Sequence, residues 1–237
     1  MLNLFGTKNK NYMRFDFIEI GTADFNTIIQ ECDDNTQGMS IEPIKKYLDN
    51  LPNRPNVKKI NCAIVDDETM KSVNVYYVEE SIIMSHGLGH WLKGCNSVGK
   101  PHDFHIGHYP DPGAWHRSND RDSLPKRNLL QEGLVTCIEI PCYTFGQVME
   151  ENGVDYVEYI KLDTEGQDSK LVHSILDYYE KTGKELPKRI LFESNAHNDP
   201  NEVNKACKRL AEKGYKMNGW NGETYDTINL HDCLAIL

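Results

Sequence analysis

Asp155-Tyr-Val-Glu-Tyr-Ile-Lys-Leu-Asp-Thr-Glu-Gly166 is the most informative stretch of this chain. Tyr156 to Leu162 has the character of a short β-strand, and the strand is followed by two carboxylates, Asp163 and Glu165. Because side chains alternate along a strand, both acids should lie on the same side. Ligands of open α/β sheets bind just outside the carboxyl ends of the strands. The segment therefore predicts a strand that brings two acids to the rim of an active site.

A second strand end of this kind lies near the N-terminus. Phe15 to Ile20 is predicted to be a strand, and it leads through Gly21 into a helix near Asn26. Small residues at such a turn let the backbone approach a ligand. The turn lacks the full GxGxxG pattern that dinucleotide phosphates need, whereas a cofactor without phosphates needs less. An ordinary tight turn between strand and helix is the alternative interpretation.

Glu42 lies 21 residues after Gly21, at the end of the next predicted strand. In Rossmann-type folds, an acid at about this distance from the glycine turn binds the ribose hydroxyls. An acid that stabilises the start of a helix is the alternative. Asp66 follows a third predicted strand, Val57 to Val65, where polar groups could contact a purine edge, although acids are also common in turns.

The alternation of strands and helices predicts an α/β fold with a doubly wound, mostly parallel sheet. Arg189 to Glu193 is one of these predicted strands. Residues 167–182 are predicted to be a helix, because their apolar residues form a helical stripe: Leu171, Val172, Ile175, Leu176 and Tyr179. Residues 81–133 interrupt this pattern, because they are rich in Gly, Pro, Asn and His and show little periodicity. Loops of this length within a compact domain are usually functional or disordered. Residues 1–237 are therefore predicted to form a single domain with a long His-rich insertion.

Composition narrows the class of protein. The net charge of −10 argues against a nucleic-acid partner, since phosphate binding requires clustered Lys and Arg. Seven scattered cysteines without a CxxC pair favour reduced thiols and a cytoplasmic location. No stretch has the apolar length of a signal peptide or of a membrane span.

Six motifs occur in the order typical of one family. They are Ile18-Glu-Ile-Gly-Thr-Ala23, Ile41-Glu-Pro43, Asn61-Cys-Ala63 with Asp66, Thr144-Phe-Gly-Gln-Val-Met149, Tyr159-Ile-Lys-Leu-Asp-Thr-Glu-Gly166 and Ile190-Leu-Phe-Glu193. On these motifs the chain resembles the FkbM family of S-adenosylmethionine-dependent methyltransferases over roughly residues 14 to 195. It departs from the family pattern at Glu19, where Asp is usual, and at Thr22-Ala-Asp24, which replaces Ala-Asn-x-Gly.

The resemblance implies the Rossmann-like, seven-stranded sheet of class I methyltransferases and S-adenosylmethionine as cofactor. It places Glu19, Gly21 and Ala23 on the methionine and ribose side of the cofactor and Glu42 on its ribose hydroxyls. By the same resemblance, Ala63 and Asp66 lie near the adenine. Asp163 and Glu165 face the transferred methyl group and the acceptor.

A comparison with metal-dependent O-methyltransferases suggests that a divalent metal ion also binds at this site. In those enzymes, acids and an amide at two neighbouring strand ends hold a divalent ion. The corresponding oxygen ligands here are Asp163, Glu193 and Asn195, a set that suits Mg²⁺ or another divalent cation such as Ca²⁺. The alternative is that Glu193 caps the following loop and Asp163 accepts bonds from backbone amides. His197, just beyond this strand, is a candidate catalytic base, and a surface histidine is the alternative.

Six of the nine histidines lie in the insertion: His86, His90, His102, His105, His108 and His116. They could form an acceptor-site lid, supply a base or bind a metal, and a solvated polar loop is equally consistent with them. HExxH is absent, and the intervening glycines disfavour a helix that presents histidines one turn apart.

Taken together, these features predict O-methylation of a hydroxyl on a sugar or glycoconjugate, with a small-molecule or glycan acceptor and residues 81–133 as its lid. An NAD(P)-dependent oxidoreductase with a similar sheet is one alternative. A non-catalytic, degenerate methyltransferase-like binding module is another, which the reduced Gly21 motif keeps open.

Overall fold

The computed structural model describes residues 13–107, 109–110, 126–194, 198–219 and 232–237. In chain order, the strands are β1 (Met13–Ile20), β2 (Gly38–Ile41), β3 (Val57–Ile60), β4 (Ala63–Ile64), β5 (Ser72–Tyr77), β6 (Ser97–Val98), β7 (Tyr109–Pro110), β8 (Lys126–Arg127), β9 (Thr136–Tyr143), β10 (Val154–Leu162), β11 (Arg189–Glu193), β12 (Lys216–Gly219) and β13 (Asp232–Ile236). The helices are α1 (Ile28–Glu31), α2 (Lys45–Asn50), α3 (Glu80–Ser85), α4 (Phe145–Glu151), α5 (Asp168–Thr182) and α6 (Pro200–Glu212), and 3-10 turns lie at His90–Lys93 and Asp103–His105.

The main sheet has seven strands in the order β3-β2-β1-β10-β11-β13-β12. The first five strands of this order are parallel to one another: β3, β2, β1, β10 and β11. Strand β13 runs antiparallel to both of its neighbours, β11 and β12. The predicted α/β class and seven strands are therefore confirmed, but the sheet is mixed. In the central register Ile20 pairs with Ile41 and with Leu162, so the carboxyl ends of β1, β2 and β10 lie at one edge.

Helices cover both faces of the main sheet, as a doubly wound fold requires. Ile18 of β1 belongs to the buried cluster that includes Ile175 of α5 and Leu210 of α6. Phe17, which points the other way because of strand alternation, packs with Ile29 of α1 and Leu48 of α2. The main core therefore lies between the sheet and α4, α5 and α6, and a smaller one lies on the opposite face.

Local sequence signals set the ends of the two long helices. Asp199 caps α6 by accepting the Asn201 backbone N–H at 2.9 Å, and Pro200 occupies the first turn, where it costs no hydrogen bond. Helix α5 ends at Gly183 in the left-handed conformation (φ +64°). The predicted apolar stripe of α5 is confirmed, because all of its members are buried: Leu171, Val172, Ile175, Leu176 and Tyr179.

A second sheet, in the order β4-β9-β5-β6, was not predicted. The expected continuous strand from Val57 to Val65 is wrong, because the chain leaves the main sheet at Asn61. The Asn61 side-chain amide donates to the carbonyl oxygens of Glu42 (2.9 Å) and Pro43 (2.8 Å), which turns the backbone away from β2. Ala63 and Ile64 then pair with β9 instead.

The region 81–133 contains more regular structure than expected. Its described part includes most of α3, both 3-10 turns and the short strands β6, β7 and β8. His86 and His90 are exposed and His102 and His105 are buried, while His108 and His116 lie outside the described residues. Within the described part, no candidate metal-binding group contains two histidines. Helices with the length and apolarity to cross a membrane are likewise absent from the described residues.

Candidate functional site

A cavity of about 320 Å³ lies at the carboxyl ends of the central strands, a size suited to a small-molecule ligand. Seven residues predicted to bind or react line it: Gly21, Ala23, Glu42, Ala63, Asp163, Glu165 and Glu193. The second sheet and the described part of the region 81–133 close the other side through residues that include Val75, Trp91 and Asn96. The structure therefore brings together four strand ends that are far apart in the sequence.

Gly21 fits this turn because no side chain could occupy its place. Its φ is +80°, and a Cβ there would lie 1.9 Å from the Asp163 carbonyl oxygen. The Gly21 N–H donates to the Ile41 carbonyl at 3.0 Å, and the Asp163 N–H donates to the Ile20 carbonyl at 2.9 Å. The glycine thus allows the ends of β1 and β10 to touch at the floor of the cavity.

Glu42 is buried beside this turn, and its carboxylate accepts hydrogen bonds from two backbone segments, the Gly21 turn and the start of α2. One carboxylate oxygen accepts the Ala23 N–H at 2.8 Å, and the other accepts the Ile44 N–H at 2.8 Å. Burial raises the pKa of Glu42 to about 7, although the hydrogen bonds from the backbone amides act in the opposite direction and lower the pKa. Glu42 therefore supports the start of α2, as the alternative interpretation proposed, and it also lines the cavity.

Two residues predicted to bind the cofactor do not line this cavity. Glu19 is fully buried under the Gly21 turn, where it pairs with Lys161 Nζ at 2.8 Å and accepts the Ile28 N–H at 2.9 Å. Asp66 is exposed and borders a separate, more open groove of about 540 Å³ between α4 and α5. Glu19 thus shapes the turn from below, and Asp66 lies outside the cavity.

The turn after β10 is held by Asp168, which the sequence analysis did not single out. Asp168 is fully buried, and its Oδ1 accepts the Thr164 N–H at 2.9 Å and the Thr164 hydroxyl at 2.5 Å. Its position as the first residue of α5, where acids are favoured, was the available signal. Glu165 adopts the left-handed conformation with φ +52°, which is costly for a residue with a side chain.

Three acids converge on the cavity wall. One carboxylate oxygen each of Asp163, Glu165 and Glu193 lies within 4.8 Å of the others. Burial raises the pKa of Asp163 to about 8, and the pKa of Glu193 is also raised, chiefly by burial and then by the charges of the neighbouring acids. This oxygen-rich spacing is compatible with a divalent cation. Asn195 and His197 lie outside the described residues, so the metal and base assignments remain predictions.

These raised pKa values predict that the empty protein loses stability as the pH rises. The ordinary pKa is 3.8 for Asp163 and 4.5 for Glu42, against about 8 and about 7 in the fold. At pH values between the ordinary pKa and the raised pKa of each acid, the folded chain binds more protons than the unfolded chain. Rising pH therefore favours unfolding. We expect a higher melting temperature at about pH 5.5 than at about pH 8.5. Asp163→Asn should reduce the difference, and a melting temperature that rises with pH would contradict the assignment.

A buried ion pair joins the region 81–133 to the Gly21 turn, and sequence reasoning missed it. Lys93 Nζ lies 2.7 Å from Asp24 Oδ1, and both side chains are less than a tenth exposed. Asn50 also donates to Asp24, at 2.8 Å. Breaking a buried pair by removing one partner usually costs several kcal/mol. The pair therefore fixes the 3-10 turn at His90–Lys93 against the cavity.

Comparison with known proteins yields one family. Residues 19–217 match the family model described as the Methyltransferase FkbM domain. The matched span contains all seven of the predicted residues that line the cavity. Nothing matched among the curated proteins or the solved structures.

Proposed function

Because the chain belongs to the FkbM methyltransferase family, we propose that it transfers the methyl group of S-adenosylmethionine to a hydroxyl oxygen of a sugar or glycoconjugate. One observation carries the proposal. A single cavity joins the Gly21 turn and Glu42, which suit a nucleoside, to the acids at the carboxyl ends of β10 and β11. Recognition and proton transfer can therefore take place in one enclosed space.

The described residues fit S-adenosylmethionine by their chemistry. The Glu42 carboxylate can accept hydrogen bonds from two ribose hydroxyls in addition to its backbone bonds, because each oxygen has two lone pairs. Ile41, Ala63 and Ile64 offer an apolar wall to the adenine. The acids at the far end of the cavity suit the positive charge of a sulfonium. When bound, the cofactor supplies an electrophilic methyl group.

Asp163 is the proposed proton acceptor. A sugar hydroxyl is a poor nucleophile until it loses its proton, and a carboxylate with a pKa near the operating pH is an effective general base. Burial brings Asp163 into that range, with a pKa of about 8. Glu165 and Glu193 would orient the remaining acceptor hydroxyls. If a divalent cation binds here, Asp163 and Glu193 would hold it and it would acidify the hydroxyl.

The proposed acceptor side is the mouth of the cavity. Phe25 and Trp91 line the cavity, and each is 41% exposed. Aromatic rings in such positions stack on the apolar face of a sugar, while carboxylates accept bonds from its hydroxyls. We place the acceptor between these groups, with the region 81–133 as its cover.

Labelled methyl transfer tests the proposed reaction. The protein would be incubated with S-adenosylmethionine labelled in the methyl group and with a panel of glycosides, amines and thiols, with and without Mg²⁺, and in parallel with the glycosides and NAD(P). We expect label in at least one glycoside but not in its analogue that lacks the reacting hydroxyl. Label on amines or thiols alone would contradict O-methylation. An NAD(P)-dependent reaction would establish the oxidoreductase alternative, and cofactor binding without any transfer would favour the binding module.

A further inference from the structure

We infer that His102 is a positioning residue that holds the Glu165 carboxylate in place at the cavity wall. His102 Nε2 lies 3.5 Å from Glu165 Oε2, and both side chains are well buried, at 3% and 16% exposure. The two residues come from different parts of the fold: His102 from the insertion, and Glu165 from the turn after β10. The contact therefore ties the insertion to the acid cluster. This inference rests on the proposed function.

The hydrogen bonds around His102 assign its tautomer. The Phe104 backbone N–H donates to His102 Nδ1 at 3.1 Å, so Nδ1 is an acceptor. In a neutral imidazole the other nitrogen then carries the hydrogen. Nε2–H therefore faces the Glu165 carboxylate at 3.5 Å, an electrostatic contact at the outer limit of hydrogen-bond distance.

The ring of His102 is also fixed in orientation. Its own backbone N–H donates to His105 Nδ1 at 3.2 Å, which closes a reciprocal cap over the 3-10 turn at Asp103–His105. Its ring stacks on Phe104, with centroids 5.1 Å apart and planes 28° apart. A donor whose position is set by three contacts can impose one position on a flexible acid.

The Glu165 carboxylate lies in surroundings that disfavour its position, so a contact with His102 would stabilise it there. Its backbone has φ +52°, and its charge contributes to the raised pKa values of Asp163 and Glu193. Mutual repulsion would drive the Glu165 carboxylate away from these acids. The positive end of the His102 Nε2–H dipole, 3.5 Å from Glu165 Oε2, offsets that repulsion and keeps the charge at the cavity, where it can favour a sulfonium.

A metal site is the competing interpretation of the same residues. Ligand atoms of Cys95, His102 and Glu165 lie within 4.8 Å of one another. A histidine that binds a metal through Nε2 must present a bare nitrogen there and usually donates through Nδ1. Here Nδ1 accepts, which leaves the hydrogen on Nε2. The hydrogen-bond pattern therefore favours a donor to Glu165 over a metal ligand.

Two substitutions separate the two contacts of the His102 ring, the one with the Phe104 backbone and the one with Glu165. In His102→Asn, the side-chain oxygen can still accept the Phe104 N–H, as in an Asx turn, but the side chain no longer reaches Glu165. In His102→Gln, the longer amide can still donate to Glu165. His90→Asn, at an exposed histidine of the same insertion, is the matched control.

The readout is the ratio of affinities for S-adenosylmethionine, which is cationic at sulfur, and S-adenosylhomocysteine, which is not, measured by calorimetry. A structural defect alone would weaken both ligands equally. We expect His102→Asn to reduce the preference for the cation by about three- to tenfold, the scale of one ordinary polar contact. His102→Gln should restore most of it, and His90→Asn should leave it unchanged.

The outcomes distinguish this inference from the proposed function. If the wild-type protein binds both ligands and His102→Asn leaves the ratio unchanged, the inference fails while the proposed function stands. If the wild-type protein binds neither ligand, the proposed function fails, and the inference fails with it. One equivalent of bound zinc in tag-free wild-type protein, lost in His102→Asn, would overturn the inference in favour of a metal site.

Discussion

Asp163→Asn should lower the rate of methyl transfer by roughly a thousandfold, within the range of general-base catalysis. Asparagine has nearly the same shape, and the backbone bond from the Asp163 N–H to the Ile20 carbonyl does not involve the side chain. Affinity for S-adenosylhomocysteine should therefore change by less than about threefold. The rate of the wild-type enzyme should rise with pH through about 8 as Asp163 loses its proton.

The same substitution should stabilise the empty protein at high pH. Wild-type Asp163 must ionise in a partly buried site next to other acids, and asparagine removes that cost. A higher melting temperature together with lost turnover is the pattern of a residue kept for function at the expense of stability. Asp49→Asn, at an exposed acid of α2, is the control and should change neither property. If Asp163→Asn retains full turnover, Asp163 is structural.

Glu42→Ala should weaken binding of S-adenosylhomocysteine by about a hundredfold or more, which corresponds to about 3 kcal/mol for two charge-assisted hydrogen bonds. The substitution also strips the Ala23 and Ile44 amides of their acceptor. A fall in stability of about 1 to 3 kcal/mol per unsatisfied group should accompany it. Calorimetry well below the melting temperature of the variant separates the two effects.

Glu31→Ala, at an exposed acid of α1, is the matched control and should bind the ligand normally. S-adenosylhomocysteine should raise the melting temperature of the wild-type protein and of this control, but hardly that of Glu42→Ala. Equal ligand-induced shifts in all three proteins would remove the ribose assignment and leave Glu42 with its role at the start of α2.

Much of the main sheet follows from local sequence signals. The predicted bounds of β11, Arg189–Glu193, agree with the structure because an apolar run ends in a charged residue there. Asp199 and Pro200 mark the start of α6. Gly21, Glu42 and Asp163 were placed at one cavity because parallel strands end at a common edge, a rule of topology that needs no knowledge of side-chain contacts.

The remaining features depend on contacts between distant parts of the chain. The chain leaves the main sheet at Asn61, whose side-chain amide bonds to the backbone after β2, and nothing in the local pattern distinguishes this from a continuing strand. The Lys93–Asp24 pair spans 69 residues, and each residue alone resembles an ordinary surface charge. His102 looked like one of several loop histidines, and only its burial beside Glu165 separates it from His90.

Calorimetric titration of the wild-type protein with S-adenosylmethionine and S-adenosylhomocysteine tests the central claim most directly. NADH and NADPH serve as controls, and each titration is done with and without Mg²⁺. The cavity at Gly21 and Glu42 predicts micromolar binding of the two sulfur cofactors and none of the nicotinamides. Binding of a nicotinamide instead, or of no cofactor at all, would contradict the proposed methyltransferase activity.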